Sequence, residues 1–181
     1  MSTQRFFLSK YTPKDQSSRK LRPCLTGIYH DSGYKVVSDG HIMCVVKSKY
    51  PSEYEGKIVK RKGIFVDDVY PQWRKVIPPT LSKESVNLDI EDLRKRTING
   101  LKEAEETYMM VFVKIEANGN TMYYEGKRFK LFLDFISAFP ESNLSIKNSN
   151  NFTIKAETPN GDICILLSIK YESDTDFQTV V

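Results

Sequence analysis

The sequence has few of the residues that build metal sites, disulfide frameworks and catalytic centres. It contains two histidines and three cysteines (Cys24, Cys44 and Cys164), and no Cys-x-x-Cys pair. Zinc sites need closely spaced Cys and His ligands, and disulfide frameworks usually need an even number of cysteines. We therefore expect no metal, no cofactor and no disulfide framework. Because Cys44 and Cys164 lie in apolar runs, they are typical of small core residues in a reducing, cytoplasmic protein.

Long apolar runs and catalytic motifs are missing as well. The longest apolar stretches, such as residues 163–167, are too short to span a bilayer, and the N-terminal residues lack the apolar core of a secretory signal. The sequence has no Gly-rich phosphate loop and no Gly-x-Ser-x-Gly elbow. Asp39 and His41 could be pictured as an acid–base pair, but no further polar groups are seen to converge on them. The sequence therefore predicts a non-membrane protein that is not an enzyme.

What remains is an ordinary globular composition with a small basic excess. The 181 residues fit one domain, or one domain plus a partial one. Lys and Arg number 27 against 23 Asp and Glu, which gives a formal net charge of +4. That excess permits weak attraction to a polyanion without requiring it, and a soluble protein of mixed surface charge is the alternative.

Turn sequences between β-rich runs predict a series of hairpins. Asp39-Gly40 and Asn118-Gly119 are typical two-residue hairpin turns, and Pro159-Asn160-Gly161 fits a slightly longer one. Two further strands are expected around Asp31-Ser32-Gly33, and a polar turn is expected at residues 148–151. The sheet should therefore be largely antiparallel.

Two segments have the periodicity of amphipathic helices. In residues 88–107, acidic residues at the start favour a helix, and Gly100 marks a point at which it could break. Residues 127–139 should form a helix of about three turns that Pro140 ends. The apolar faces of the two helices comprise Ile90, Leu93, Thr97, Leu101 and Ala104, and Phe129, Phe132, Leu133, Ile136 and Phe139. Residues 9–22 are predicted to be a loop, and residues 50–85 an irregular connector with short strands at 57–61 and 64–67.

Three segments, taken in order, carry a resemblance to a known family. Residues 21–46 contain an Arg-Pro-x-Leu-x-Gly strand and an Asp-Gly-His turn, residues 69–78 contain Tyr-Pro-x-Trp-Arg-Lys-Val-Ile-Pro, and residues 123–171 give a helix followed by three strands. The matching positions are Arg22, Pro23, Leu25, Gly27, Asp39, Gly40 and His41, then Tyr70, Pro71, Trp73, Arg74, Val76, Ile77 and Pro78. Together these segments resemble the bacterial DNA polymerase sliding clamp, the β processivity factor, in a short and divergent form.

The resemblance implies an α+β, DNA-clamp-like fold of antiparallel β-hairpins with two or three helices packed on the sheet. We expect one clamp-like domain over residues 1–181, with a first strand set at 1–49, the irregular connector at 50–85 and a helix-and-strand part at 86–181. The chain departs from the family at Ile42, where the family has Arg, and only 28 residues separate His41 from Tyr70. Since clamp subunits have three domains and pair into a six-domain ring, a ring of this chain would need several copies.

The function that the resemblance implies is a non-enzymatic DNA replication accessory protein. Such a processivity factor contacts duplex DNA through phosphates, or binds a DNA polymerase or another replication protein, and it could form a homo-oligomer. The alternative is a protein-interaction module that keeps the clamp fold but does not encircle DNA, because fold alone does not fix function.

Candidate site residues follow from charge and aromatic content. Cations for DNA phosphates are Arg94, Lys95, Arg96, Lys127, Arg128 and Lys130 in the two helices, and Lys57, Lys60, Arg61 and Lys62 in the connector. A solvated polar surface is the other reading of these cations. Tyr70, Trp73 and Arg74 are candidates for partner binding, although a Trp in a connector often packs on its own domain.

Overall fold

The computed structural model describes residues 8–13, 20–79, 88–107, 110–117, 119–147, 152–169 and 178–180. The chain divides into two compact units. The first comprises Met1–Pro78 with Glu157–Cys164, and the second comprises Pro79–Ala156 with Ile165–Val181. The organisation of the chain as one clamp-like domain stays a prediction.

The first unit is built on an antiparallel sheet. Its strands are β1 (Ile28–Asp31), β2 (Tyr34–Ser38), β3 (Ile42–Lys47), β4 (Ile58–Val59) and β5 (Phe65–Val66). They hydrogen-bond in the order β5-β4-β1-β2-β3. The neighbour of β3 on its other side is a strand that begins with Ile163 and Cys164, two residues of this unit. The strands predicted at 57–61 and 64–67 are confirmed, although β4 and β5 each have only two residues.

The core of the first unit lies around β2 and β3. Five consecutive residues of β3, Ile42 to Val46, are buried, so both faces of this strand are covered. Leu8 and Tyr11 are fully buried, and Tyr11 ends a 3-10 turn, Ser9–Tyr11, that contacts β2 and β3. The predicted loop at 9–22 therefore includes a core anchor, which its polar composition concealed.

The hairpin turns follow the prediction with one shift in position. The β2–β3 hairpin is confirmed, but its two central residues are Gly40 and His41, because Asp39 N–H donates to the Ile42 carbonyl. Gly40 has φ 96°, a conformation that glycine adopts without strain. The Asp39 carboxylate accepts hydrogen bonds from the backbone N–H groups of His41 and Ile42, at 2.8 and 2.9 Å. Asp39 therefore caps a turn, which is the usual role of Asp at such a position.

The second unit combines strands with two long helices. Its elements in chain order are α1 (Ile90–Thr107), β6 (Val111–Ala117), β7 (Asn120–Glu125), α2 (Gly126–Ala138), β8 (Asn143–Lys147), most of β9 (Thr153–Glu157), the last three residues of β10 (Ile163–Leu167) and β11 (Gln178–Val180). Strands β10, β9 and β8 are neighbours in one sheet, and β11, β6 and β7 form another. Strand β11 pairs with β6 in parallel, which the hairpin pattern did not predict. The polar turn predicted at 148–151 lies outside the described residues.

Helix α1 does not break at Gly100. It continues to Thr107, and Leu93, Thr97, Gly100 and Ala104 are all buried. These residues are spaced three or four apart and so lie on one face, where small side chains permit close packing. The expected weak point is therefore part of the buried face.

Helix α2 confirms the prediction for residues 127–139 to within one residue at each end. Glu125 caps it, because its carboxylate accepts from the backbone N–H groups of Lys127 and Arg128. Phe129, Phe132 and also Phe135, which lay outside the predicted face, are fully buried. Burial of each aromatic ring contributes about 1.5–3 kcal/mol.

No helix in the described ranges is long and apolar enough to cross a membrane.

Gly126, the first residue of α2, permits a close approach between the helix and β6. A Cβ atom at this position would lie 2.9 Å from Val111 Cγ1 and 3.0 Å from the Val111 carbonyl oxygen. Gly to Ala within a helix ordinarily stabilises a protein by about 0.5–1 kcal/mol. Here we expect Gly126→Ala to lower the free energy of unfolding by about 1–3 kcal/mol, because backbone atoms must shift.

Urea denaturation followed by circular dichroism measures this change. The neighbouring exposed position offers the control, since Lys127→Ala should alter the free energy of unfolding by less than about 0.5 kcal/mol. A Gly126→Ala variant as stable as the parent would show that β6 and α2 are not in the close contact described.

Candidate functional site

Arg94 and Lys130, two of the predicted DNA-binding residues, share one acidic partner. Arg94 Nη1 lies 3.2 Å from Asp134 Oδ1, and Lys130 Nζ lies 3.1 Å from Asp134 Oδ2. Arg94 Nη2 also donates to the Leu133 carbonyl and to Ser137 Oγ, both at 2.5 Å. Arg94 therefore joins α1 to α2, and its charge is held within the unit.

Arg96 and Arg128 are paired within their own helical segments. Arg96 forms a salt bridge with Asp92 one turn earlier in α1, and Arg128 Nη1 lies 3.2 Å from Glu125 Oε2. Such local pairs contribute only about 0.2–0.5 kcal/mol to stability. Their main consequence is electrostatic, because each cation already faces a carboxylate and has less charge to offer to a phosphate.

Lys95 and Lys127 differ from the other helical candidates. Both side chains are exposed. Within the described part of the chain, neither ammonium group lies within salt-bridge distance of a carboxylate. Of the six predicted cations on α1 and α2, these two are the most available to an anionic ligand.

The connector cations lie in one short hairpin, which we call the basic hairpin (residues 57–66). It comprises β4, a 3-10 turn at Arg61–Gly63 and β5. Lys57, Arg61 and Lys62 are exposed, and Lys60 is half-buried. None of these four cations forms a salt bridge with an acidic residue among those described. The hairpin therefore presents cations without salt bridges, and the acidic residues Glu55, Asp67 and Asp68 flank it in the sequence.

Trp73 and Arg74 are fixed to the β1–β2 turn through Asp31. Trp73 Nε1 donates to Asp31 Oδ2 at 2.8 Å, and Arg74 Nη1 forms a salt bridge with the same oxygen. The Arg74 guanidinium carbon lies 4.1 Å from the centre of the Trp73 ring, a cation–π distance. We call these three residues the Asp31 clasp.

Tyr70 is packed beside this clasp. Its ring stacks on Tyr29 with the ring centres 4.7 Å apart, and Tyr34 lies 5.8 Å from the Trp73 ring. Tyr70 and Trp73 are 8% and 6% exposed, whereas the Arg74 side chain is 51% exposed. Tyr70 and Trp73 thus pack on their own unit. Partner binding by these three residues stays a prediction, for which Arg74 offers the exposed group.

Burial controls the ionisation of Tyr70. Its hydroxyl oxygen is buried without a hydrogen-bond partner among the described residues, and burial raises its pKa far above the ordinary value for tyrosine. The phenol therefore stays neutral at any physiological pH. The Tyr70 ring therefore contributes to packing, and its hydroxyl group does not take part in acid–base chemistry at physiological pH.

The Asp31 carboxyl group, in contrast to the Tyr70 hydroxyl, is held in its ionised form. Desolvation alone would raise the pKa of its carboxyl group, but hydrogen bonds from Ser32, Trp73 and Arg74, together with the Arg74 charge, outweigh it and lower that pKa. The carboxylate therefore stays ionised and keeps both partners of the Asp31 clasp in place.

Cys44 and Cys164 confirm the prediction that they are small core residues. Both are fully buried, they interact with each other, and burial raises the pKa of the Cys164 thiol. All three cysteines are free thiols. Within the described ranges, no group of three or more His, Cys, Asp and Glu side chains is arranged to hold a metal ion.

Comparison with solved structures defines the fold. The DNA polymerase sliding clamp from Caulobacter crescentus superposes with a TM-score of 0.68 at 13% identity, covering 94% of this chain and 65% of that one. The DNA polymerase III subunit beta of Borrelia burgdorferi gives 0.61 at 15% identity (94% and 62% covered), and that of Thermotoga maritima gives 0.56 at 12% (95% and 62% covered). This chain has the sliding-clamp fold.

The clamp-fold likeness has clear limits in sequence and in length. No protein-family model matches the chain, and no curated protein matches it significantly in sequence. The chain also spans less than two thirds of the length of the clamp structures named above. The sequence signal for this α+β fold was the occurrence, in the expected order along the chain, of short motifs at residues 21–46, 69–78 and 123–171.

Two acidic residues of the site were not identified from the sequence. Asp134 could have been found, because it lies four residues after Lys130 on a predicted helix, the spacing of a helical ion pair. Asp31 gave no such signal, since it lies 42 residues before Trp73. Only the folded connector brings the two side chains together.

The Asp31 clasp predicts a pH-dependent contribution to stability. Because the pKa of Asp31 is lower in the folded protein, its carboxylate stabilises the fold above the ordinary carboxyl pKa of about 4. This contribution is lost as the pH falls through the lower folded-state value. We expect Asp31→Asn to reduce the free energy of unfolding by about 1–3 kcal/mol at neutral pH, with a smaller difference from the parent in acid.

Fluorescence of Trp73 measures this change directly, because Trp73 is the only tryptophan and belongs to the clasp. Urea titrations at neutral and acidic pH give the two free-energy differences. Asp67→Asn, at an exposed carboxylate in the same connector, is the matched control and should change neither value. Equal behaviour of the two variants would contradict the role given to Asp31.

Proposed function

We propose that this chain is a non-enzymatic, sliding-clamp-like DNA replication accessory protein that contacts duplex DNA through its phosphates. The observation that carries the proposal is the superposition of 94% of the chain on a DNA polymerase sliding clamp with a TM-score of 0.68. Because one fold can serve several functions, the residues of this chain must supply the DNA contact.

The available cations support contact with phosphates. Lys95 on α1 and Lys127 on α2 are exposed, and the basic hairpin adds four cations without a described acidic partner. Phosphate contacts position a protein on DNA without reading its sequence, and they need no catalytic group. A replication accessory protein of this kind works by staying on DNA, which fits a chain in which we find no catalytic motif.

A DNA polymerase or another replication protein is the protein partner that the proposal implies. Two of the superposed structures are themselves beta subunits of DNA polymerase III. In this chain, the half-exposed Arg74 beside the docked Trp73 is the group most suited to such a contact. The proposal includes a homo-oligomer in which several copies of the chain encircle DNA, and we place this assembly in the reducing cytoplasm.

The alternative is a clamp-fold interaction module that does not encircle DNA. The observation favouring it is that four of the helical cations, Arg94, Arg96, Arg128 and Lys130, are paired with the three carboxylates of Asp134, Asp92 and Glu125. A surface with so much internal pairing attracts a polyanion less strongly than the sequence suggested. Such a module would bind its protein partner with no dependence on DNA.

Salt-dependent binding of a duplex oligonucleotide tests the proposal. We expect affinity to fall steeply with salt, because phosphate contacts release counterions. Lys95→Glu combined with Lys127→Glu should lower the slope of log affinity against log salt by about two, and weaken binding about tenfold or more. Fluorescence anisotropy over a range of salt concentrations gives both quantities.

A charge-matched control separates specific contacts from net charge. Lys49→Glu combined with Lys75→Glu makes the same change in charge at two exposed positions outside the helices and the basic hairpin. This control should lose much less affinity. Absent or salt-insensitive duplex binding by the parent chain would refute the DNA contact and leave the interaction module.

A further inference from the structure

The basic hairpin combines positive charge with exposed apolar side chains. Its ten residues include four cations and no acid. Ile64 and Phe65 follow directly after the cations and are 59% and 52% exposed. Single exposed apolar residues are common on protein surfaces. The feature specific to this hairpin is that two exposed apolar side chains directly follow cations that form no salt bridge with a described acidic residue.

The hairpin is an ordered support for these groups. Val59 pairs with Phe65 across the two strands, and Lys60 N–H donates to the Ile64 carbonyl at 2.7 Å. The turn is closed again where Gly63 N–H donates to the Lys60 carbonyl at 3.2 Å, and Lys62 has a positive φ of 69°. The cations and the aromatic ring are thus held in a fixed relation at the end of the sheet order.

The Phe65 ring contacts the ring of Tyr54 and is otherwise about half exposed. It makes an edge-to-face contact with Tyr54, with ring centres 5.7 Å apart and an interplanar angle of 83°. The centre of the Tyr54 ring in turn lies 5.2 Å from the centre of the buried His30 ring, so Tyr54 connects Phe65 to a buried residue. An edge-to-face contact occupies at most one face of Phe65. At least one face of the ring is therefore outside this contact, which agrees with its 52% exposure.

This combination suits a ligand with alternating flat rings and negative charges. Single-stranded nucleic acid has unstacked bases that stack on aromatic side chains, while its phosphates follow a line of cations. Duplex phosphates need the cations but no aromatic ring, because the bases of a duplex are already stacked. The exposed Phe65 face is the feature that distinguishes the two ligands.

We propose that the basic hairpin binds single-stranded nucleic acid. Phe65 stacks on one base, and Lys60, Arg61 and Lys62 contact the neighbouring phosphates. This site goes beyond the proposed duplex contact, and it would hold an unpaired strand whether or not the chain encircles a duplex. Since it belongs to the first unit, it does not depend on Lys95 or Lys127 of the second.

Anisotropy with a labelled oligothymidine and a duplex of equal length tests the proposal. Phe65→Ala should weaken binding of the single strand about fivefold or more, the loss expected for one base stack, and leave duplex binding unchanged. Phe65→Trp should retain or increase single-strand affinity. Val69→Ala, at an exposed apolar residue outside the hairpin, is the matched control.

The outcomes that overturn the proposal are distinct. No loss with Phe65→Ala, or equal loss with the single strand and the duplex, would show that the ring does not stack on a base. Tighter binding of a poly-glutamate peptide or of anionic vesicles, lost in the same variant, would assign the hairpin to an acidic protein or a lipid surface. Failure of the proposed duplex contact is seen separately in the parent chain, and the single-strand result remains decisive for the hairpin.

Discussion

Burial of β2 and β3 on both faces is the constraint on which the first unit depends. The continuous apolar run of β3 cannot face water, so Leu8 and Tyr11 cover the sheet near the start of the chain. The connector is then fixed to the β1–β2 turn through Asp31, which orders Trp73 and Arg74. The basic hairpin lies at the end of the sheet order, and none of its cations forms a salt bridge with a described carboxylate.

Internal ion pairing reduces the number of helical cations that are available to an anionic ligand. Six helical cations were named as candidates from the sequence, but four of those side chains already face acidic residues. Asp134 alone takes part in two pairs and joins α1 to α2. The account of function therefore depends on Lys95, Lys127 and the basic hairpin, and the chain's modest net charge agrees with this restricted set.

Local features of the fold could be predicted from the sequence, and long-range ones could not. Turn residues and the Phe-rich periodicity of α2 act over a few residues, so the β1–β2, β2–β3 and β6–β7 hairpins and this helix were predicted correctly, with a shift of one residue in the β2–β3 turn. Continuation of α1 through Gly100, the parallel β11 and the burial of Tyr11 depend on tertiary packing. The cations were correctly located on their elements, but their acidic partners emerge only when distant segments meet, as with Arg94 and Asp134.

Absolute mass in solution, measured by light scattering, tests the central claim that this clamp fold works as a clamp. The proposed encirclement of DNA rests on the association of several chains of 20.9 kDa each. The account predicts a stable assembly of several times that mass, independent of dilution over the working range. A monomer at all concentrations would contradict encirclement and favour the interaction module.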